Sequence, residues 1–280
     1  MERTVLLDGL GFAEGPRWHD GRLFFSDMGT KQVLAVGLDG VAEEICVVEN
    51  RPSGIGWLAD GSMLVVSQND RRLLKLVGGE MVEHADISAL ASGACNDMVV
   101  DGRGNAYVGN PGYDMRNPPS PLPPAEVVVV RSDGSAEVVD REVMFPNGSV
   151  VTPDNRTLIV GETMGQRLTA FDINDDGTLS KRRLYADMKG RAPDGIALDA
   201  DGAVWVADAN GHACVRVLEG GEVTDVVDVG PAHCFACALG GPDRSTLFLL
   251  TGAGFSRDAI KSRTGSIQTT TVDVPGAGWP

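Results

Sequence analysis

Phe12-Ala13-Glu14-Gly15-Pro16-Arg17-Trp18 places an acidic side chain directly before a Gly-Pro corner and an aromatic strand. Asp20-Gly21 follows, a hairpin dipeptide that supplies the positive φ a tight turn requires. Residues 23–27 read as the returning strand, and 32–36 and 44–48 complete a unit of four short antiparallel strands. The device recurs downstream. Ser53-Gly54-Ile55-Gly56-Trp57 turns at Asp60-Gly61, Asn96-Asp97-Met98-Val99-Val100 near Arg103-Gly104, and Asn147-Gly148-Ser149-Val150-Val151 at Asp154-Asn155. Asp194-Gly195-Ile196-Ala197-Leu198 turns at Asp201-Gly202, and Cys234-Phe235-Ala236-Cys237 at Pro242-Asp243.

These starts, at 14, 53, 96, 147, 194 and 234, are separated by 39, 43, 51, 47 and 40 residues. A four-stranded repeat of about 40–50 residues is the signature of a propeller blade. The turn falls at the same phase in every unit, which a sandwich with unrelated hairpins does not require. The expected fold is therefore all-β, a single six-bladed β-propeller over residues 1–280. The N-terminal strand at 3–7 and the C-terminal strand at 266–272 are expected to pair within the sixth blade, leaving no long free edge. Residues 111–124, rich in proline, interrupt the third unit and read as a semi-rigid flap over the channel mouth.

Bulk properties agree. The 36 glycines and 15 prolines suit many turns and short strands. A net charge of −15 argues against nucleic acid and anionic membranes as partners. The five cysteines suggest no disulfide framework, the N-terminus carries no signal-peptide pattern, and no apolar run reaches spanning length, so a cytoplasmic protein is expected.

The first strand of each propeller blade lines the central axis, so residues that begin those strands converge although they are far apart in sequence. The set is Glu14, Ser53, Asn96, Asn147, Asp194 and Cys234. Its two carboxylates and two carboxamides offer oxygen, the donor that hard cations prefer. Two negative charges balance one divalent ion; without it the carboxylates repel and at least one tends to protonate.

The segments around 12–18, Asn96-Asp97, Phe145-Pro146-Asn147-Gly148, Ala192-Pro193-Asp194-Gly195 and Leu239-Gly240-Gly241-Pro242-Asp243 together resemble the SMP-30/gluconolactonase/luciferin-regenerating enzyme family, in the right order and over nearly the whole chain. The resemblance implies a six-bladed propeller holding one divalent cation, calcium first, with zinc, manganese or iron as alternatives. It implies lactonase activity, with Glu14, Asn147 and Asp194 as metal ligands, Asp194 also as general base, and Asn96 beside the metal contacting substrate. Family members of the gluconolactonase type carry an arginine two residues before the asparagine matching Asn96; here Ala94 stands there. The region of their substrate-contacting glutamate is occupied by Gly109-Asn110-Pro111-Gly112-Tyr113 and the flap. These departures widen the implied substrate from sugar-acid lactones to less polar lactones and esters.

The expectation is a metal-dependent hydrolase of a small lactone or ester, with specificity supplied by the flap through Tyr113. The competing expectation is a propeller that binds a ligand or protein without chemistry. Asp172-Ile173-Asn174-Asp175-Asp176-Gly177 imitates a calcium loop but lacks its final glutamate, so a hairpin turn is expected. Cys234 and Cys237 are expected to point to opposite strand faces as packing residues, with Cys234 also a candidate for the channel rim. His19 is expected to be exposed, His233 could reach the mouth, and Trp57 and Trp205 are expected on inner strands.

Overall fold

The computed structural model describes residues 2–278, arranged as six four-stranded antiparallel sheets around one axis, a six-bladed β-propeller. From the axis outward, blade 1 comprises Ala13–His19, Arg22–Asp27, Gln32–Val36 and Ala42–Val47. Blade 2 comprises Pro52–Trp57, Met63–Ser67, Arg72–Val77 and Glu80–Asp86, and blade 3 comprises Met98–Val100, Ala106–Val108, Ala125–Val130 and Ala136–Val143. Blade 4 runs Pro146–Val151, Thr157–Glu162, Arg167–Ile173 and Leu179–Asp187, and blade 5 Pro193–Leu198, Val204–Asp208, Ala213–Val217 and Val223–Asp228. Blade 6 takes His233–Gly240, Thr246–Gly252 and Gly265–Thr271 from the end of the chain and its outermost strand, Thr4–Leu10, from the beginning. Thr4 pairs with Thr269 and Leu10 with Gly265, so the ring closes as expected.

Burial follows from this arrangement. Inner strands lie between neighbouring blades on both faces, so Pro146–Val151 and Pro193–Leu198 are buried throughout, whereas the outer strand Ala42–Val47 is largely exposed. The core is divided into layers between adjacent blades. Leu64 and Val66 of blade 2 meet Met98, Val100, Val108 and Val128 of blade 3, and Val150 and Ile159 of blade 4 meet Ile196, Val204 and Val206 of blade 5. Val, Ile and Leu fit these flat, two-sided layers.

The one helix among the described residues, Arg257–Lys261, sits between the second and third strands of blade 6, with the Ser256 hydroxyl accepting from the Ala259 amide. No helix of the described residues is long and apolar enough to cross a membrane.

Three expectations are corrected. Trp205 lies on a second strand, not an inner one, while Trp57 is on an inner strand. His19 is half-buried, its ring stacked on Trp57 at a centroid separation of 4.0 Å, because the first turn folds back against blade 2. Cys234 and Cys237 do not diverge. An irregularity between Cys234 and Ala236 inserts one extra residue, which shifts the alternation and lets both thiols interact with Cys214. The 172–177 run is a hairpin connection, with the Gly177 amide donating to the Asn174 carbonyl at 3.0 Å.

Inner strands approach one another so closely that side chains are excluded at one level. A methyl group on Gly148 would sit 2.6 Å from the Ile196 nitrogen and 2.7 Å from Gly195 Cα, both backbone atoms that have no room to retreat. Gly148→Ala is expected to destabilise the fold by about 1–3 kcal/mol, seen as a lowered urea midpoint with an unchanged slope.

Candidate metal and substrate site

The six predicted starts sit at one end of the channel, each at the same irregularity of its blade. In blade 2, Pro52 pairs with Ser67 and Ile55 with Val65, so Ser53 and Gly54 together face one residue. The same slip occurs between Glu14 and Arg17, Pro146 and Ser149, Pro193 and Ile196, and Cys234 and Ala236. In blade 3, Asn96 and Asp97 share Gly109, whose carbonyl accepts from the Asn96 amide at 2.9 Å and whose amide donates to the Asp97 carbonyl at 3.1 Å. A bulge of this kind re-aims the side chain it carries. The bulges bring Ser53, Asn96, Asn147 and Asp194 to one level, Glu14 is paired just before its own bulge, and the Cys234 thiol turns instead into the layer between blades 5 and 6 against Cys214.

The hydrogen bonds there form a chain around the axis. Ser53 Oγ donates to Asn96 Oδ1 at 3.3 Å, and Asn96 Nδ2 donates to Asn147 Oδ1 at 2.8 Å. Asn147 Nδ2 donates to Thr163 Oγ1 at 3.1 Å, and that hydroxyl donates to the Pro193 carbonyl at 2.7 Å. Thr163 thereby fixes which end of the Asn147 amide carries oxygen toward the axis. Asn147 lies close enough to Asp194 to favour its ionised form.

Glu14, Asn147 and Asp194 are each less than a tenth exposed. Burial, then the charges of Asp194 and Asp97, push the Glu14 carboxyl well above its ordinary pKa. Burial, then the charge of Asp97, does the same to Asp194. The charge of Asp194 thus acts on Glu14, and neither carboxyl forms an ion pair with a basic side chain among the described residues.

Asp97 is a third carboxylate at this level and was not assigned a role from sequence. Burial raises its pKa, and Arg17 offsets the rise: Arg17 Nη2 lies 3.5 Å from Asp97 Oδ1 and donates to the Met98 carbonyl at 2.5 Å. Arg17 begins in blade 1 and reaches past blade 2 to blade 3, so its guanidinium crosses the channel beneath the ring. The signal was present: a charged residue in an inner strand, where Gly56, Val99, Val150 and Ala197 occupy comparable places in other blades. On the far side, a recess of about 650 Å³ is lined by Pro16, Trp18, Ile196, Leu198 and Leu239, at the opposite ends of the inner strands and away from the ring.

A second layer of acids holds the ring residues in place. Asp27, at the end of a second strand, accepts from the Gly11 and Phe12 amides at 2.9 Å each, just before Glu14. Glu162 accepts from the Met144 amide at 2.8 Å, just before Asn147, and Asp208 from the Ala192 amide at 3.0 Å, just before Asp194. Burial opposes ionisation of Glu162, but bonds from Arg167, Thr169 and the Met144 amide keep its pKa below the ordinary value. The corresponding positions of blades 2, 3 and 6 are Ser67, Asn110 and Gly252, and Asn110 is a neutral clasp whose Oδ1 accepts from the Gly93 amide at 3.0 Å. The three blades with this acidic clasp are the three that carry Glu14, Asn147 and Asp194.

Tyr113 is buried at the start of the 111–124 segment, its ring edge-on to Phe145 at 6.4 Å, and burial raises the pKa of its phenol. Phe145 lies two residues before Asn147, so Tyr113 belongs to an apolar wall beside the ring. The rest of the segment is less enclosed, residues 114–121 being exposed. His233 packs on His212 and on Phe235, which in turn meets Phe12 at 4.8 Å.

The residues fit a hard divalent cation. Two carboxylates and a fixed amide oxygen converge where burial and mutual repulsion leave negative charge without compensation. Among the described residues there is no cluster of three or more His, Cys, Asp or Glu side chains able to hold a metal, which excludes a nitrogen- or sulfur-rich centre of that kind there. The set at the ring is carboxylate and carboxamide.

Both raised pKa values make the folded chain bind protons that the unfolded chain releases, so their contribution to stability falls as pH rises through the ordinary carboxyl range toward neutrality. In chelator at pH 7, Glu14→Gln is expected to unfold at higher urea than the parent, and the advantage should vanish below about pH 4, where the carboxyl is protonated in both states. Arg17→Met leaves Asp97 buried and uncompensated; a loss of about 3–5 kcal/mol is expected, partly recovered by adding Asp97→Asn.

Residues 12–253 match the family described as SMP-30/Gluconolactonase/LRE-like region. Pentonolactonase XacC of Haloferax volcanii is 25% identical over 246 residues, covering 86% of this chain and 81% of its own. Regucalcin of Danio rerio is 25% identical over 234 residues, covering 82% and 75%. The fold is shared with a solved regucalcin of Agrobacterium tumefaciens, described as a calcium-binding protein, at a TM-score of 0.83 and 21% identity over 100% of this chain and 96% of that one. With its blades, its order of motifs and the extent of this match in agreement, the chain belongs to the SMP-30/gluconolactonase/LRE-like family.

Proposed function

We propose that the protein is a divalent-cation-dependent hydrolase that opens a lactone or a related ester at the mouth of the propeller channel. The observation that carries this reading is the pair of buried carboxylates, Glu14 and Asp194, raised in pKa by burial and mutual repulsion beside the fixed amide of Asn147. Family membership and the likeness to a pentonolactonase support the reaction class. The likeness to regucalcin and the all-oxygen donor set support calcium, with zinc, manganese or iron as alternatives.

Glu14, Asn147 and Asp194 would hold the ion, whose chemistry there is Lewis acidity toward a carbonyl oxygen and toward water. The chain's own residues supply the rest. Asp194, ionised once a cation offsets the neighbouring charges, takes the proton of the attacking water. The water oxygen bonds to the acyl carbon, the ring C–O bond breaks, and the leaving alkoxide takes the proton held by Asp194, giving a hydroxy acid and restoring the carboxylate. Asn96, held between Ser53 and Asn147, presents its amide to the substrate carbonyl. Tyr113 and Phe145 offer an apolar face to the body of the lactone, and Arg17 closes the channel beneath against water.

Metal analysis of the purified protein, with turnover of a lactone panel before and after chelation, tests this directly. Activity should disappear on chelation and return with a divalent cation. Asp194→Asn is expected to lower kcat by about 10²–10⁴-fold with the fold intact by circular dichroism. A protein that binds no metal and opens no lactone would instead be a propeller that binds a ligand without chemistry.

A further inference from the structure

We propose that Arg51 anchors an anionic group of the substrate, so that the lactone this site prefers carries an acid substituent remote from the carbonyl. The inference rests on the hydrolase reading above and specifies its substrate class.

Arg51 lies two residues before Ser53, in the link between blades 1 and 2. Its backbone is tied on both sides: its amide donates to the Val48 carbonyl at 3.0 Å, and its carbonyl accepts from the Gln68 amide at 2.9 Å. Between these bonds it is held at φ +78°, in the left-handed region that a side chain with a Cβ rarely adopts. Such strain costs on the order of 1–3 kcal/mol and persists where the surroundings fix it, most often at functional sites. The position is equivalent to that of Phe145, φ +60°, which precedes Pro146-Asn147 as Arg51 precedes Pro52-Ser53. Two neighbours of the ring are thus turned in the same unusual way, one apolar and one cationic.

The guanidinium is unpartnered. Several other arginines withdrawn from solvent have their acceptors: Arg17 has Asp97, Arg216 has Asp199, Arg167 has Glu162, and Arg71 donates to the Ala91 carbonyl, whereas the guanidinium of the partly exposed Arg191, three residues before Asp194, shares with Arg51 the lack of one among the described residues. Arg51 is only partly exposed, yet no hydrogen bond or ion pair to it exists among the described residues. Burial lowers its pKa and the charge of Glu14 offsets that effect, so the two side chains feel one another without forming an ion pair, as the place of Arg51 two residues before Ser53 at the ring allows.

The charges decide what it awaits. Arg17 balances Asp97, and a divalent cation balances Glu14 and Asp194. Arg51 then stands as a surplus positive charge beside a site withdrawn from water, and such a charge is costly unless an anion meets it. A lactone is neutral at its reacting group and presents its carbonyl to the ion. The balancing anion therefore belongs to another part of the substrate. The fork of a guanidinium suits a carboxylate or a similar oxyanion.

The test compares γ-butyrolactone-γ-carboxylate with its neutral carboxamide on the cation-loaded protein, as wild type, Arg51→Met and Arg51→Lys. The wild type should favour the acid at least tenfold in kcat/KM, chiefly through KM. Arg51→Met should erase the preference by weakening the acid alone, and Arg51→Lys should restore part of it. No preference in the wild type, or an equal loss on both lactones, would overturn the proposal. Calorimetric binding of the same pair keeps this separate from the hydrolase reading. Should neither lactone be opened, tighter binding of the acid by the wild type but not by Arg51→Met still supports Arg51, and equal binding of the two refutes it.

Discussion

The structure depends on how closely six inner strands can approach one axis. At the ring level the contacts are between backbones, Gly148 against Gly195 and Ile196, Gly195 against Ala236, so the strands there tolerate almost no side chain. The bulge at each start resolves the crowding. It removes one residue from the regular alternation and turns the preceding side chain toward the axis. Close packing and the convergence of polar groups are thus one feature. The polar side chains gathered there satisfy one another, Ser53 to Asn96 to Asn147 to Thr163, and the Thr163 hydroxyl ends the run on the Pro193 carbonyl.

Against this background the electrostatics are deliberately unbalanced. Three buried carboxyls, Glu14, Asp97 and Asp194, act on one another through their charges, with Arg17 paired to Asp97 and Arg51 within the field of Glu14. Only Asp97 has a close counter-charge. Well-packed hydrophobic residues would be more stable here. The surrounding layers supply what this arrangement lacks: Asp27, Glu162 and Asp208 clasp the backbone before each of the three candidate ligands. The local instability is confined to side chains because the backbone is fixed from outside.

Much of this was legible in the sequence, for a definite reason. A propeller repeats its turn chemistry at constant phase, so Asp20-Gly21, Asp60-Gly61 and Asp201-Gly202 announce the blades, and the residue six or seven places earlier in each announces the ring. Glu14, Asn147 and Asp194 were found by that phase. The features that escaped are those set by register and by contacts across the ring. The slip at Cys234–Ala236 that brings Cys234 and Cys237 to one thiol cluster leaves no trace in a strand-like run. The Arg17–Asp97 pair joins residues of different blades, and nothing local links them. The clasps occur at strand ends where a polar residue is ordinary. Tyr113 was visible only as an aromatic in an unusual loop, and its packing on Phe145 required the folded chain.

Blade 6 has a temporal meaning. Its outer strand, Thr4–Leu10, precedes the other five blades in chain order, and the strand it pairs with, Gly265–Thr271, follows them. Five blades can form hairpin by hairpin during synthesis, but the circle is joined only when the final strand arrives. Glu14 in blade 1 and Asp194 in blade 5 flank this blade on either side, so the two carboxyls keep their present relation only while Thr4–Leu10 stays paired with Gly265–Thr271.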